Sequence, residues 1–447
     1  MKKITLLISA ITLCAFGFSQ NLNKIDAETK EADWSEKLNN IPTTYRGGYK
    51  CVTAEAESLK SELNPNHQTT IEFENWISQK IKDLKSNPSY GNKATRNIPV
   101  VVHVLYGNST QNISDAQILS QIVVLNEDFS ATNADFANTP AEFNSVIGSM
   151  DIQFCLAKED PNGNPTNGIT RTSVPTSTIS DIQVETNYGL NNMWDPTKYL
   201  NIFVGNITAN GQLIGGKSVF PVASNLPGMP TGTVPDAYDA VMITFDGFGT
   251  VGALFPPYDK GRTTTHEIGH FLGLRHIDGD ATCGDDFCAD TPTQNTLTFG
   301  CPSYPQNSCS SSDMFMNFLD YTNDVCLSTF TMDQKLRVDA VLMNSPNRKE
   351  LLTSTTCSLS TGQNEISGLL NNVVVYPNPT AGILNIELEK TANSTVTIIN
   401  VLGEVIASQT NNSALFTFDI NNQPKGVYFI KITISNEVIT KKVLLTK

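Results

Sequence analysis

Three of the five histidines in the chain lie within the eleven residues that begin at His266 and end at His276. Residues four apart share one face of a helix, so His266 and His270 can present two imidazoles to one metal ion. Gly273 can take a left-handed conformation that ends the helix and returns the chain toward the metal, which brings in His276. Three imidazoles leave tetrahedral zinc one open position, as in catalytic rather than structural sites. The pattern therefore predicts a catalytic zinc site held by His266, His270 and His276.

Glu267 is the carboxylate inside this motif. It projects toward the same cleft without being placed as a ligand, which suits it to take a proton from a metal-bound water. The same group can then deliver that proton to a leaving amine. We therefore expect a zinc endopeptidase with Glu267 as its general base. The alternative is a non-catalytic surface binding protein on a metallopeptidase scaffold, but a site freed from catalysis has no need to keep the base.

Length and charge limit the class of protein. A chain of 447 residues is too long for one ordinary core, so two or three domains are expected. The composition, 39% hydrophobic and 17% charged, is that of a globular protein. The net charge of −14 and the pI near 4.8 argue against nucleic acid as a partner, because phosphate binding needs clustered Lys and Arg. The expected partners, protein or peptide substrates, follow instead from the peptidase motif above.

Residues 1–20 combine two early lysines with an apolar stretch that runs to about Phe18. This pattern is typical of a secretory signal peptide, and the stretch is too short for a stable membrane span. We expect cleavage near Ser19 or Gln20. The mature protein would then be exported through the periplasm and either secreted or held at the cell surface.

Five of the nine cysteines crowd the region after the histidines. They are Cys283, Cys288, Cys301, Cys309 and Cys326. In an oxidising compartment such a cluster indicates disulfides that staple a loop-rich region. A second zinc site is the alternative, although no Cys-x-x-Cys pair is present.

Residues 21–96 are polar and favour helix, chiefly at 54–62 and 73–84. They end in the polar run 86–96, which indicates an exposed linker. We interpret residues 21–96 as a propeptide that is removed near Arg96.

A folded catalytic domain is expected over residues 97–352. It opens with a β-branched, apolar strand at 98–105, and His103 is expected to belong to the packing of that strand. Further strands are predicted at 151–157, 199–204 and 240–245. Helical spacing over 115–129 predicts a helix capped by Ser114 or Asp115.

The zinc helix is expected to begin at Thr263, a plausible N-cap. A mixed sheet packed against two helices fits this pattern of elements.

After this domain the composition changes. Residues 353–372 are rich in Ser, Thr, Asn and Gly, which is typical of a linker. Residues 373–447 contain short strands separated by turn signals, which predicts a small β-sandwich. The predicted strands are 373–376, 384–388, 395–401, 416–420, 427–434 and 438–445.

The His-Glu-x-x-His-x-x-Gly-x-x-His string resembles that of the metzincin metallopeptidases, and its surroundings resemble the pappalysin family. The resemblance rests on residues 261–265, 273–276, 285–292 and 317–321, with Cys326. It implies an upper and a lower subdomain around a substrate cleft. The fold expected is an α+β metzincin-like catalytic domain, with a mixed sheet, a zinc helix and an irregular disulfide-stapled lower subdomain, followed by a small all-β sandwich.

The same resemblance implies roles for three further residues. Tyr321 matches a tyrosine that hydrogen-bonds the tetrahedral intermediate, its alternative being a core tyrosine. Asp324 matches the acidic residue that favours Arg or Lys just after the scissile bond, its alternative being a solvated turn aspartate. Cys51 looks like the cysteine of a latent pro-region, where a thiolate fills the position meant for water. Its alternative is a disulfide with Cys155 or Cys357.

The resemblance also implies structural features around the site. The family's disulfides would correspond to Cys283–Cys309 and Cys301–Cys326, which leaves Cys155, Cys288 and Cys357 unassigned. A region of possible calcium ligands comprises Asp285, Asp286, Asp290 and Thr291, whose oxygens suit a hard cation, the alternative being exposed carboxylates without an ion. One departure is Leu319, which stands where metzincins carry a methionine beneath the zinc. Leucine is nearly isosteric with methionine, so the packing role can survive, and Met316 is a weaker candidate for it.

The C-terminal residues resemble the sorting domain of type IX secretion substrates. The resemblance rests on residues 376–380, Gly382, Gly403 and residues 425–431. It implies that the type IX machinery carries the protein across a Gram-negative outer membrane, after which the protein is released or attached to the surface. A carbohydrate-binding or adhesive sandwich is the alternative.

Overall fold

The computed structural model describes residues 51–64, 67–87, 90, 95–224, 237–358, 373–388, 393–400, 404–434 and 437–446. The predicted signal peptide and the first part of the predicted propeptide lie outside these residues. The chain divides into two compact units, the first ending at residue 360 and the second beginning at residue 361. Within the part of the chain that is described, none of the helices is both long and apolar enough to span a membrane.

The predicted propeptide contributes two helices, α1 (Thr53–Leu63) and α2 (Thr70–Ser86). Helix α2 begins with a capping box, in which Thr69 and Glu72 satisfy each other's backbone N–H groups. Its apolar face packs Phe73 and Ile77 against Phe220 and Val341 of the catalytic region. Both helices are longer than the predicted ones, 54–62 and 73–84. Apolar packing holds α2 against the rest of the first unit.

The predicted catalytic region, residues 97–352, is built on a six-stranded sheet. Its strands are β1 (Arg96–Tyr106), β2 (Ile152–Leu156), β3 (Ile169–Ser173), β4 (Leu200–Gly205), β5 (Gly216–Ser218) and β6 (Ala240–Thr244). The order is β2-β1-β4-β6-β5, with β3 continuing beside β1 beyond β2. All pairs are parallel except β5 with β6, so β5 is an antiparallel edge strand. The sheet is mixed, as the sequence predicts.

Two helices cover one face of this sheet: α3 (Asp115–Phe129) and α4 (Arg262–Phe271), the predicted zinc helix. Helix α3 has the predicted bounds, and its cap is Ser114, whose hydroxyl accepts the N–H of Gln117. Both helices bury apolar side chains in one core with β1, β2 and β4. His103 lies within β1, where its Nδ1 is 2.8 Å from Thr170 Oγ1 and its Nε2 is 3.0 Å from Asn201 Oδ1. It belongs to the strand packing, as expected.

Short elements complete the first unit. Strands Ile179–Ser180, Ile207–Ala209 and Gln212–Leu213 form one small sheet, and Asn307–Ser308 pairs with Ser311–Ser312. Single helical turns occupy Ala134–Asn138, Ala141–Phe143, Asp181–Gln183, Val184–Gly189, Leu190–Asn192, Phe245–Gly247 and Asp324–Cys326. Helices α5 (Met332–Asn344) and α6 (Arg348–Leu351) close the unit. The region between α4 and α5 is thus largely irregular.

Three disulfides staple the described part of the first unit. Cys283 pairs with Cys309 and Cys301 with Cys326, the two pairings that the family resemblance implies. The third bond joins Cys155 to Cys357, two cysteines that the sequence leaves unassigned.

The linker expected from residue 353 begins later in the structure. The carbonyl of Thr356 accepts the N–H of Lys158, and Ser354 donates its hydroxyl to the carbonyl of Lys198. Together with the disulfide of Cys357, these contacts make residues 353–358 part of the first unit.

The second unit is all β. Its strands are β7 (Val374–Tyr376), β8 (Ile383–Glu387), β9 (Asn393–Asn400), β10 (Val405–Asn412), β11 (Leu415–Asp419), β12 (Gly426–Ile434) and β13 (Glu437–Leu445). They form a three-stranded sheet, β7-β8-β11, and a four-stranded sheet, β10-β9-β12-β13, around one apolar core. This is the predicted sandwich. Strand β10 was not predicted, because its sequence is mostly polar and lacks an apolar alternation.

Candidate active site

The zinc helix begins one residue before the predicted cap. Its N-cap is Gly261, in a left-handed conformation with φ of 74°. Because glycine has no side chain, the cap residue makes no side-chain hydrogen bond to the first turn. Thr263 is therefore wrong as the N-cap. The carboxylate of Asp324 accepts the N–H of Arg262 at 3.2 Å and that of Lys260 at 2.8 Å. A residue distant in sequence thus satisfies the first backbone N–H of the helix, one of the donors that have no partner within a helix.

The three histidines of the motif converge on one point. His266 Nε2 and His270 Nε2 are 3.0 Å apart, and they lie 3.3 and 3.1 Å from His276 Nε2. A tetrahedral ion with Zn–N bonds of 2.0–2.1 Å separates its nitrogen ligands by about 3.3 Å. The donor set and its spacing therefore fit zinc.

Each imidazole is oriented by a partner on its other nitrogen. His266 Nδ1 lies 2.7 Å from the carbonyl of Phe318, and His270 Nδ1 lies 2.8 Å from the carbonyl of Leu274. Because a carbonyl only accepts, Nδ1 must carry the proton in both rings, which leaves the Nε2 lone pair for a metal. His276 Nδ1 is 2.5 Å from Asp280 Oδ1. Sequence reasoning missed Asp280, although an acidic residue four positions after the last ligand is a signal for such a partner.

Burial favours the neutral form of two of these rings. It lowers the pKa of His266 to about 3 and that of His270 well below its ordinary value, and the neighbouring His276 acts in the same direction. Burial also opposes the charge on His276, but the carboxylate of Asp280 outweighs it and raises the pKa of that ring. Neutral imidazole is the form that binds metal.

Gly273 ends the helix as the sequence predicts. Its φ is 90°, and a Cβ there would lie 2.7 Å from Val341 Cγ2, so both the conformation and the space favour glycine. The turn that follows carries the chain back to His276.

Leu319 lies beneath the zinc helix, in the main core of the unit. A Cβ on Gly269 would be 3.1 Å from Leu319 Cδ2, which shows how closely the helix approaches this side chain. Met316 packs instead in a separate cluster with Phe143 and Ile277. Leu319 thus occupies the position beneath the helix, and Met316 does not.

Glu267 is fully buried beside the histidines. Its Oε2 accepts the hydroxyl of Thr53 at 2.9 Å. Burial raises the pKa of Glu267 to about 7, although hydrogen bonds from Cys51 and Thr53 act in the opposite direction. A Cβ on Gly216, in edge strand β5, would lie 2.5 Å from Glu267 Cγ, so this glycine makes room for the carboxylate.

Cys51 completes the cluster. Its Sγ and the ligand nitrogens of the three histidines all lie within 4.8 Å of one another, and within the described ranges no other such group of three or more His, Cys, Asp or Glu is found. The backbone continues the sheet edge, because the N–H of Val52 donates to the carbonyl of Gly216 at 3.3 Å. Burial and the charge of Glu267 raise the pKa of the Cys51 thiol. Since Cys155 pairs with Cys357, the alternative disulfides of Cys51 are not formed.

Tyr321 and Asp324 line one cleft together with Cys51, His266 and Glu267. Tyr321 Oη lies 3.2 Å from His276 Nε2 and donates to the carbonyl of Cys51 at 3.2 Å. Asp324 is buried, which raises the pKa of its carboxyl group to about 6, against the effect of the two N–H groups that it accepts. It is therefore not the solvated turn aspartate of the alternative interpretation.

The four residues of the possible calcium region lie in the irregular segment after His276. Asp286 Oδ1 accepts the hydroxyl of Thr291 at 2.7 Å and the N–H of Cys288 at 3.0 Å. Asp285 accepts the N–H of Phe287, and Asp290 that of Asp333. These side chains mainly organise the local backbone.

Comparison with known proteins identifies the family. Residues 184–343 match the family described as pregnancy-associated plasma protein-A, and residues 374–446 match the secretion system C-terminal sorting domain. An extracellular metalloprotease of Arthroderma otae is 31% identical over 246 residues, which are 54% of this chain and 76% of the relative. The chain belongs to the pregnancy-associated plasma protein-A, or pappalysin, family.

Solved structures agree with this assignment. A promirolysin mutant of Tannerella forsythia is 41% identical, with a TM-score of 0.59, and the match covers 68% of this chain and 97% of that chain. Mature mirolysin of the same organism, in complex with a cleaved peptide, is 45% identical with a TM-score of 0.52, covering 58% and 96%. The pappalysin described here is a metalloprotease with a mirolysin-like metzincin fold, and zinc is the metal that its family implies. The sorting domain and the extracellular relatives indicate export to the cell surface or beyond.

Proposed function

We propose that this pappalysin is made as a latent zinc endopeptidase that, once processed, cleaves peptide bonds before Arg or Lys. The observation that supports it best is the convergence of His266, His270, His276 and Cys51 around one point, with Glu267 beside them. Zinc, when bound there, supplies a Lewis acid that polarises a carbonyl and acidifies a water. The rest of the chemistry belongs to the protein.

Two side chains then handle protons and charge. Glu267 accepts a proton from water and returns it to the leaving amine, because its carboxylate lies beside the three imidazoles without joining their ligand set. The Tyr321 hydroxyl supports the oxyanion. Its hydrogen bond to the carbonyl of Cys51 supports this role, because it shows the hydroxyl directed at a peptide carbonyl beside His276.

Removal of the metal is the first test. Hydrolysis of casein or gelatin by the processed protein should be abolished by a zinc chelator and restored by added zinc, because the three imidazoles then regain their ion. Zinc-loaded, processed protein that binds but never cleaves these substrates would favour the non-catalytic surface protein instead.

Latency is assigned to Cys51 and the segment that carries it. Coordination by a thiol removes its proton, so metal binding would overcome the raised pKa of the buried thiol and fill the position meant for water. Processing near Arg96 would remove this ligand. Arg96 begins β1, its N–H donates to the carbonyl of Asp151, and its guanidinium pairs with Asp339, so cleavage on its N-terminal side keeps these contacts.

Specificity for basic residues is assigned to Asp324. Its buried carboxylate lines the cleft beside His266 and Glu267, where it can attract a guanidinium or ammonium group. Hydrogen bonds to a charged group contribute about 1.5–3 kcal/mol each, which corresponds to roughly ten- to hundredfold in rate.

The change Asp324→Asn tests this assignment. Asparagine keeps an oxygen for the N–H groups of Lys260 and Arg262 but loses the charge. We expect kcat/KM for substrates with Arg or Lys after the scissile bond to fall about tenfold or more, with much less effect on apolar substrates. Sequencing of peptides from a digested proteome measures both proteins. A parent enzyme that shows no basic preference would remove Asp324 from the site.

The proposal extends to calcium near Asp286 and Asp290. One carboxylate oxygen of each is buried and finds no hydrogen-bond partner among the protein atoms of the described segments. Burial raises the pKa of Asp286 to about 7, which a bound cation would reverse. Backbone carbonyls or water would have to complete the ligand set.

Thermal unfolding tests the calcium proposal. Calcium should raise Tm of the parent more than equal magnesium does, and Asp286→Asn should lose this difference. Equal shifts with both ions would contradict it.

Export is assigned to the type IX machinery through residues 374–446, which match its sorting domain by description. Release from the surface and attachment to it are both compatible with this role.

A further inference from the structure

Glu74, in the pro-segment helix α2, is the shared partner of two arginines of the catalytic region. Arg337 donates Nη1 to Glu74 Oε2 at 2.6 Å and Nη2 to Oε1 at 3.0 Å. Arg275 donates Nε to the same Oε1 at 2.7 Å. The Glu74 side chain is only 6% exposed and that of Arg337 only 1%. The Glu74 carboxylate is therefore held by three hydrogen bonds in a site that is largely shielded from water.

The arginines are held by contacts that do not involve Glu74. Arg337 also donates Nη2 to the carbonyl of Gly273 at 3.0 Å, which fixes its guanidinium against the turn that ends α4. The guanidinium carbon of Arg275 lies 4.9 Å from the centre of the Phe220 ring, within cation–π range. The Phe287 ring lies 5.9 Å from both guanidinium carbons. The catalytic region therefore positions both arginines, while the pro-segment supplies the anion and, through Phe73 against Phe220, part of the apolar cover.

Electrostatics favour an anion there. Asp286 acts on Arg337 and Asp280 on Arg275, but Glu74 is the carboxylate that hydrogen-bonds both arginines. Its removal from the precursor would leave two buried or nearly buried cations short of a counter-charge. Burial alone would raise the pKa of Glu74, but Arg337 and then Arg275 lower it, so the glutamate stays ionised. Convergent arginines also stand out on a chain with a net charge of −14.

We infer that Arg275 and Arg337 form a carboxylate-binding site of the catalytic unit, which Glu74 fills in the precursor. Its opening in the cell rests on the proposed removal of the pro-segment, but its existence does not. The ligand class is a carboxylate, either free or carried as an acidic side chain on a peptide. Arg275 lines a second cavity together with His276 and Tyr321, which helix α1 helps to enclose, so the carboxylate site adjoins the histidine cluster.

Chemical rescue in the full chain tests the site without reference to catalysis. Glu74→Ala removes the anion and leaves a cavity, and we expect Tm to fall by about 5 °C or more. Acetate should then restore much of this loss in a saturable way, while chloride at equal ionic strength should not. Acetate should have no such effect on the parent.

Matched variants define the site. Asp83→Ala removes an exposed carboxylate from the same helix and should show neither the loss nor the rescue. Glu74→Gln keeps the volume filled, so its loss should not respond to acetate. Adding Arg337→Met to Glu74→Ala should abolish the rescue. If Glu74→Ala does not fold, the yield of Glu74→Ala on refolding in acetate or chloride replaces Tm as the readout.

A second arm distinguishes the source of the carboxylate. The probe is a peptide of residues 67–87, added to processed Glu267→Ala protein, which cannot cut it. Fluorescence of Trp76, buried in the complex, reports binding. The natural peptide should bind at least tenfold more tightly than the same peptide with Glu74→Gln.

If acetate competes with the natural peptide for binding, the site accepts free carboxylates. If the peptide binds through Glu74 but acetate does not compete with it, the site accepts only carboxylates carried on a peptide. Equal peptide affinities together with no acetate rescue in the full chain would overturn the inference. Because neither arm measures proteolysis or the Cys51 thiol, that result would leave the proposed function standing.

Discussion

Glu267→Ala should lower kcat of the processed enzyme at least about 100-fold while zinc stays bound, because general base catalysis contributes about 10²–10⁴-fold. The carboxylate is fully buried beside the three imidazoles but is not in their ligand set. Its loss therefore removes the proton acceptor and leaves the metal site intact. Peptidase kinetics and metal analysis by mass spectrometry, on protein processed by the same added protease, measure the two effects separately.

The matched control for this prediction is His270→Ala. It removes a ligand from the same helix face, so activity and zinc should both be lost. If Glu267→Ala turned over substrate at nearly the parent rate, another group would have to be the base.

Cys51→Ala should raise the peptidase activity of the unprocessed precursor at least about tenfold, or make the precursor process itself faster. The Cys51 Sγ lies within 4.8 Å of the ligand nitrogens, so alanine would free the position that water needs. Other pro-segment contacts remain in this variant, including the Thr53 hydrogen bond to Glu267 and the ion pairs of Glu74. The gain measures the thiol itself.

Cys288→Ala is the control, because Cys288 is the other buried free cysteine in the described part of the chain. Its precursor should stay as inactive as the parent. If the Cys51→Ala precursor is equally inactive, the thiol does not cause latency, and helices α1 and α2 block the cleft by themselves.

The metal site was the most predictable part of this molecule. The spacing of His266, His270 and His276 along one helix and its turn is local, and local geometry follows directly from sequence. The bounds of α3 and the buried strands followed for the same reason, since apolar periodicity decides them.

Contacts between distant residues were less accessible. The zinc helix has a glycine N-cap, and Asp324, 62 positions away, accepts the N–H of Arg262, so the local rule that favoured Thr263 failed. The hydrogen bonds of Thr53 with Glu267 and of Arg337 with Glu74 are likewise tertiary contacts, which no local sequence pattern predicts. Strand β10 was not predicted for a different reason. Its sequence is mostly polar and has no alternation of apolar and polar residues, and it forms a strand by pairing with β9.

The bond between Cys155 and Cys357 has a consequence for a protease exposed to its own activity. It joins residues 202 positions apart in sequence and so closes a covalent ring that contains the zinc helix and most of the catalytic sheet. A single nick anywhere inside this ring opens the loop without cutting the molecule in two. The fragment that carries the sorting domain then stays attached to β2 until a reductant is added. Backbone damage and loss of the tail are therefore separate events in this chain, and only a cut after residue 357 brings about the second directly.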